Sequence, residues 1–220
     1  MVQHYRSMLA TTLTALVAVF LTGLLVAEAR DARRAALAWK SAASASFVLL
    51  ALSLHALDQG PFGVAIFTGL VLAALGDVAL ALPGERAFFA GLVAFLLGHV
   101  AYVIASATMT PPAEWLSPID ALPLLATAAV YPILAPHLGS LRRPVIAYMV
   151  TITVMVVAAL AVRRAGYVHG DVLAAGAVLF YISDLSVARD RFVRRAFVNR
   201  AWGLPAYYAA QLLMAWAARA

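Results

Sequence analysis

The sequence predicts an all-α fold, a polytopic transmembrane bundle of eight helices that takes up the whole chain, 1–220, as one integral membrane domain. Three observations predict it. Of the 220 residues, 65% are hydrophobic and only 12% charged, with a mean hydropathy of +0.92, which lies outside the range of soluble globular domains. The apolar runs approach twenty residues, the length of a helix that crosses a hydrocarbon core, and they lack the alternation of a barrel strand. Lipid offers no water to backbone N–H and C=O groups, so unbroken runs of this kind must close their hydrogen bonds internally, as helices.

The spans fall at about 8–27, 35–57, 62–82, 87–108, 119–138, 143–162, 171–188 and 200–218. Short connections punctuate them. Asp58-Gln59-Gly60-Pro61, Pro83-Gly84-Glu85-Arg86 and Pro111-Pro112 are turn chemistry, and Arg142-Arg143-Pro144 opens the sixth helix with proline in its tolerated first turn. Pro123, Pro132 and Pro136 predict a kinked fifth helix. Ala27-Glu28-Ala29 has the small-x-small form of a leader-peptidase site, but cleavage there would place Arg30, Arg33 and Arg34 on the translocated side; the first span is therefore expected to stay as a helix.

The net charge of +6 comes from fifteen Arg and one Lys against ten acidic residues. Arginines in short connections are topology signals, and no nucleic-acid partner is expected. Arg30, Arg33, Arg34, Arg86, Arg142, Arg143, Arg189, Arg191, Arg194, Arg195 and Arg200 fall on one side, and Arg6, Arg163, Arg164 and Arg219 on the other. The first side is read as cytoplasmic, so both termini face away from it. The absence of Cys removes disulfides, thiol nucleophiles and thiolate metal sites. Gly69 to Asp77 also echoes Gly176 to Asp184, each Asp eight residues after a Gly, which suggests two parallel four-helix halves.

Ionisable groups inside spans are costly and serve as functional-site hypotheses. Lys40, Asp77 and Asp184 are predicted to lie at one level, about 6–8 Å below the cytoplasmic boundary, and His99 about 18 Å deep, from a rise of 1.5 Å per residue. Tyr102 follows His99 by one turn, and Asn199 and Arg200 cap the charged layer. Each has a plainer reading: Lys40 snorkelling to the interface, the aspartates paired with Lys40 and Arg189, His99 bonded to a neighbouring helix. His55, His137 and His169 are expected near the opposite face, away from the aspartates, which argues against a three-histidine zinc site. Trp39, Trp115, Trp202 and Trp216 read as interfacial anchors, and Gly69, Gly76, Gly91, Gly98 and Gly176 as close helix contacts.

Gly76-Asp77-Val78-Ala79-Leu80, the run from Phe88 through His99 to Tyr102, and Tyr181-Ile182-Ser183-Asp184 followed by Arg191-Phe192 together resemble the YhhN family of membrane proteins, from the second span through the eighth. That family includes the lysoplasmalogenases, which hydrolyse the vinyl ether of a lysophospholipid to a fatty aldehyde and glycerophosphocholine or glycerophosphoethanolamine. The resemblance implies Asp77 and Asp184 as an acidic pair, with Lys40, His99, Tyr102 and Ser183 in matching positions. Vinyl ether hydrolysis needs an acid that protonates carbon and an anion that stabilises the oxocarbenium ion, which two carboxylates in unlike surroundings can supply. Which aspartate is the acid stays open. His99 and Tyr102 would orient water or the ether oxygen, and Arg200 with the Arg189–Arg195 segment would hold the phosphate.

Water is the only co-substrate this chemistry requires, so no metal and no organic cofactor are expected. The implied partners are a lysophospholipid substrate and membrane lipids, and the implied setting is the inner membrane of a bacterium. A hydrolase of another lysolipid ether or ester, or a proton-coupled membrane transporter, are the alternatives that charged residues on facing helices leave open.

Overall fold

The structure, a computed structural model, describes residues 2–219 and leaves aside the side chains of 2–4, 6 and 120, so the Arg6 side chain, counted above for topology, lies outside what is described. Eight α-helices follow in order: α1 Val2–Ala29, α2 Arg33–Ser53, α3 Gly60–Ala81, α4 Glu85–Met109, α5 Ala121–Leu134, α6 Arg142–Arg164, α7 Gly170–Ala188 and α8 Phe197–Ala217. Among the described residues, six are both long and apolar enough to cross a membrane, namely α1 to α4, α6 and α7. At 21 residues α8 has the length, about 31 Å, but its apolar character is diluted by Asn199, Arg200 and Gln211. Those polar residues turn inward, and both Asn199 and Gln211 are fully buried.

The fifth span departs from expectation. Instead of one kinked helix over 119–138, a 14-residue helix ends at Leu134 and gives way to 3-10 turns at Ala135–His137 and Gly139–Leu141. Pro132 removes one helical hydrogen bond, and Pro136 disfavours the α conformation at Ala135, so the helix stops between them. Roughly 21 Å long, α5 is too short to cross the hydrocarbon core alone. Helices α1, α2, α3, α4, α6, α7 and α8 pack in that order into a closed ring, α8 returning to α1 and also touching α2 and α3, while α5 lies against α6.

Glycine lets the ring close tightly around α3. A β-carbon at Gly69 would collide with the Tyr102 ring, and one at Gly76 would sit 2.7 Å from the Phe95 ring, both on α4. The matching contact joins α7 to α8, where a β-carbon at Gly176 would lie 3.2 Å from Leu213. Such close approaches are what small residues contribute between membrane helices. At the α3–α4 turn Gly84 has φ +103°, a conformation that L residues avoid.

The tryptophans divide between two roles. Trp39 and Trp202 remain partly exposed near helix ends, although Trp39 also packs on Phe20. Trp115 is a correction: it is buried, and its indole N–H donates to the Thr110 carbonyl at 3.0 Å, so it closes a local cluster with α6 instead of anchoring at an interface. Trp216 donates to Thr14 Oγ1 at 3.3 Å and joins α8 to α1.

Candidate active site

A cavity of about 1140 Å³ opens at the end of the bundle where the α1–α2, α3–α4 and α7–α8 connections meet. That exceeds an ordinary small-ligand site. Its inner surface has three zones. Phe95 and Tyr207 form an aromatic floor, their ring centroids 5.8 Å apart and edge to face. Val130, Leu134, Val145, Met149 and Ile152 make an apolar wall from α5 and α6, and arginines crowd the mouth.

Asp77 reaches this space from the last turn but one of α3 and is 2% exposed. Its Oδ2 accepts hydrogen bonds from Ser44 at 2.6 Å and Tyr207 at 2.7 Å, and its Oδ1 lies 3.6 Å from Lys40 Nζ. An ammonium and two hydroxyls on one buried carboxylate are the partners that a buried anion requires. Lys40 therefore does not snorkel away; its side chain is 13% exposed and faces the cavity beside its counter-ion.

Asp184 enters from α7 with a different set of partners. Its Oδ2 accepts from Tyr148 on α6 at 2.7 Å, and His99 Nε2 stands 3.7 Å from the same oxygen, beyond hydrogen-bond reach. Arg189, which the sequence offers as a partner for an aspartate, instead donates to Asn199 Oδ1 at 2.9 Å. His99 is fully buried, its ring edge-on to Phe180 at 4.5 Å and to Tyr148 at 5.1 Å, and among the described residues neither ring nitrogen has a hydrogen-bond partner. The expected depth gap between His99 and Asp184 is narrowed and bridged by their side chains. Beyond Ala188 the chain continues as a π-helical turn, Arg189–Val193, which places Asp184 about 14 Å inside that helical stretch, against about 21 Å for His99 from the start of α4.

The mouth carries both signs of charge. Arg200 donates to Glu28 Oε2 at 2.5 Å, tying α8 to α1, and both residues line the cavity. Arg191 lies 4.1 Å over the Phe88 ring. Arg33, Arg34, Arg194 and Arg195 line the same rim. Asn199 is drawn away from the cavity and organises the rim segment: its Nδ2 donates to Asp190 Oδ1 at 3.0 Å and to the Arg194 carbonyl at 2.7 Å.

Of the residues singled out from sequence, Lys40, Asp77, Ser183, Asp184 and Arg200 line one cavity. His99 backs Asp184 from outside the cavity wall. Tyr102 lies in the core with its hydroxyl donating to Gln211 Oε1 at 2.9 Å, and Ser183 turns its hydroxyl to the Phe180 carbonyl at 2.8 Å. His137 requires correction: it follows α5, next to the Leu134, Leu138 and Val145 cluster that packs on Phe192, at the arginine-rich end and not the opposite one. His55 and His169 sit at the ends of α2 and α7 away from that rim. Among the described residues no three His, Asp or Glu side chains converge as metal ligands would.

Sequence reasoning missed Ser44, Tyr148 and Tyr207, which hold the two carboxylates. Hydroxyl residues carry no charge penalty in lipid, so they do not stand out as Lys40 or Asp77 does. The internal echo was the available signal: the register shift that carries Asp77 onto Asp184 carries Lys40 and His99 to within one residue of Tyr148 and Tyr207.

Fold and site define a class, a polytopic helical membrane protein that presents two buried carboxylates to an apolar cavity with a basic rim. The chain belongs to the YhhN family, whose model matches residues 35–218. It is 33% identical over 172 residues to a protein of Bos taurus named lysoplasmalogenase TMEM86A, an alignment that covers 76% of this chain and 70% of that one. To the Homo sapiens protein of the same name it is 32% identical over 171 residues, with the same coverage. Lysoplasmalogenase TMEM86B of Mus musculus is 36% identical over 147 residues, 66% of this chain and 59% of that one. No solved structure matches the chain.

Proposed function

We propose that this protein is a membrane-embedded lysoplasmalogenase that hydrolyses the vinyl ether of a lysophospholipid to a fatty aldehyde and glycerophosphocholine or glycerophosphoethanolamine. The observation that carries the reading is the unequal pairing of two buried carboxylates on one cavity. Asp77 has an ammonium and two hydroxyl donors; Asp184 has a single phenol donor and, among the described residues, no Lys or Arg within ion-pair distance. The names of the relatives support the substrate class.

In this mechanism Asp77 is the anion and Asp184 the acid, its Oδ1 carrying the proton while Oδ2 is held by Tyr148. Asp184 protonates the chain-side carbon of the vinyl ether, and the positive charge that develops at the oxygen-bearing carbon is stabilised by Asp77. Water adds to that carbon and gives its proton to the Asp184 carboxylate, which restores the acid. The resulting hemiacetal moves its hydroxyl proton to the glycerol oxygen and separates into aldehyde and alcohol. The same two-carboxylate solution serves the oxocarbenium ion in glycoside hydrolysis.

The alkenyl chain lies along the apolar α5–α6 wall and the phosphate at the arginine rim, which combines burial of methylenes with charge-assisted hydrogen bonds. The excess of arginine at that rim supports a cytoplasmic orientation for it, with the termini opposite, and the membrane proposed is the inner membrane of a bacterium. The test is aldehyde release from lysoplasmalogen by detergent-purified protein. The vinyl ether should react and its saturated alkyl ether analogue should not, and Asp77→Asn and Asp184→Asn should each abolish release. Near-normal turnover by either variant would remove the two-carboxylate mechanism.

A further inference from the structure

We infer that Lys40 is a covalent docking site for fatty aldehyde, forming a reversible imine with it inside the cavity. The proposal rests on the reading of the cavity as a place where aldehyde is made, but its chemistry can be tested without that reaction. Lys40 is the chain's only lysine. Its side chain lines the cavity that holds both aspartates, and it is mostly sheltered, at 13% exposure. Arginine gives no comparable imine with a simple aldehyde, the chain has no cysteine, and none of the residues around the cavity is a histidine. Every other nitrogen side chain at the rim is a guanidinium, so a carbonyl compound held there meets one amine.

The geometry also supplies the proton carrier. Asp77 Oδ1 is 3.6 Å from Lys40 Nζ. Passing one proton from the ammonium to the carboxylate frees the nitrogen lone pair, which adds to the aldehyde carbon, and a proton moves from nitrogen to the new alkoxide to give a carbinolamine. Asp77 then returns its proton to the carbinolamine hydroxyl, which leaves as water, and the nitrogen becomes a protonated imine beside a restored carboxylate. The sum is one ammonium and one aldehyde going to one iminium ion and one water, with Asp77 unchanged. A lysine in an apolar pocket with an adjacent proton acceptor is the arrangement that Schiff-base chemistry uses. Water reverses the step, so the imine retains a reactive product at the site until it is released.

Alkylation by added aldehyde is the direct test. The detergent-purified full chain, in amine-free buffer, is incubated with hexadecanal and sodium cyanoborohydride and analysed by intact mass and peptide mapping. One alkyl group on Lys40 is the expected result, with none at residue 40 in Lys40→Arg. Labelling by hexadecanal should exceed labelling by propanal about tenfold or more, since two buried methylenes suffice for that factor. A saturating alkyl ether lysolipid should protect Lys40 of the wild type about tenfold, which keeps the proposal testable even if the variant misfolds. Alkylation confined to the terminal amine, or Lys40 labelling that is insensitive to chain length and to the lysolipid, would overturn it. A parallel arm replaces hexadecanal with lysoplasmalogen. Alkylation from added aldehyde alone would leave the imine site standing and remove the vinyl ether reading; aldehyde release with no alkylation in either arm would do the reverse.

Discussion

Tyr207 on α8 donates its phenolic hydrogen to Asp77 on α3 at 2.7 Å, and Tyr148 on α6 makes a bond of the same length to Asp184 on α7. The two bonds occupy unlike positions in a nearly repeated scheme. Lys40 from α2 and Tyr148 from α6 approach the aspartate of the following helix, whereas Tyr207 from α8 and His99 from α4 reach across to the aspartate of the other half. The halves thus exchange one partner each. Asp77 is left with the ammonium and Asp184 with the imidazole, which is the source of their chemical difference.

That asymmetry predicts unequal responses to loss of a phenol. Tyr148→Phe keeps the ring against His99 but removes the phenol hydrogen bond to Asp184, and turnover should fall about ten- to a hundredfold, the effect of losing a hydrogen bond to an ionisable group. Tyr207→Phe leaves Ser44 and Lys40 on Asp77, so the loss should be about tenfold or less. Initial rates of both purified variants decide the point; an equal or reversed order would contradict the assignment of Asp184 as the less supported carboxylate.

Close packing of α3 on α4 makes a second expectation. Gly69→Ala drives a methyl group into the ring of fully buried Tyr102, whose hydroxyl is fixed on Gln211, and overpacking of this kind costs about 1–3 kcal/mol. Gly98→Ala meets its nearest atom at 3.3 Å and should cost less. Thermal unfolding in detergent, followed by circular dichroism, should show the lower midpoint for the Gly69 variant.

Much of the fold was legible because lipid makes a narrow demand on sequence. Seven of the eight helices could be read from apolar runs and turn residues, and the excess of arginine in alternate connections marks one end of the bundle. The fifth was misread because Pro132 and Pro136 end a helix whose hydropathy continues past them. At the site, Lys40, Asp77, Asp184 and His99 stood out because ionisable side chains are costly inside a membrane bundle. Tyr148, Tyr207 and Ser44 did not stand out for the opposite reason: a hydroxyl is ordinary in a membrane helix until a carboxylate is found beside it, and only the internal echo pointed toward the two tyrosines. The rim arginines Arg33 and Arg34 were visible only as topology signals, because nothing in a linear sequence shows that the α1–α2 turn folds beside Arg194 and Arg195.

Glu28 and Arg200 provide a third test, across the α1–α8 seam. Both side chains are about one-fifth exposed and share a hydrogen bond. Arg200→Gln leaves Glu28 partly buried without its cation and should destabilise the protein by roughly 1–3 kcal/mol, whereas the double variant Glu28→Gln with Arg200→Gln should recover part of that loss. A double-mutant cycle on thermal stability measures the coupling. Additive losses would mean that the pair contributes nothing beyond its separate side chains.

Proton transfer to carbon leaves an isotopic record, which gives the last prediction. In heavy water the acid on Asp184 exchanges to deuterium before each turnover, and the proposed mechanism delivers that one deuteron to the carbon adjacent to the new carbonyl. Aldehyde released in heavy water and reduced at once with borohydride should therefore carry one deuterium at that carbon. Turnover should also slow in heavy water if breaking the Asp184 O–H bond limits the rate. Imine formation at Lys40 adds a second route, since an iminium ion exchanges the hydrogens on the same carbon through its enamine. Lys40→Arg blocks that route, so in any activity the variant retains the label should stay at one deuterium, while prolonged incubation with the wild type should raise it to two. Unlabelled product from the wild type would exclude carbon protonation and, with it, the role assigned to Asp184.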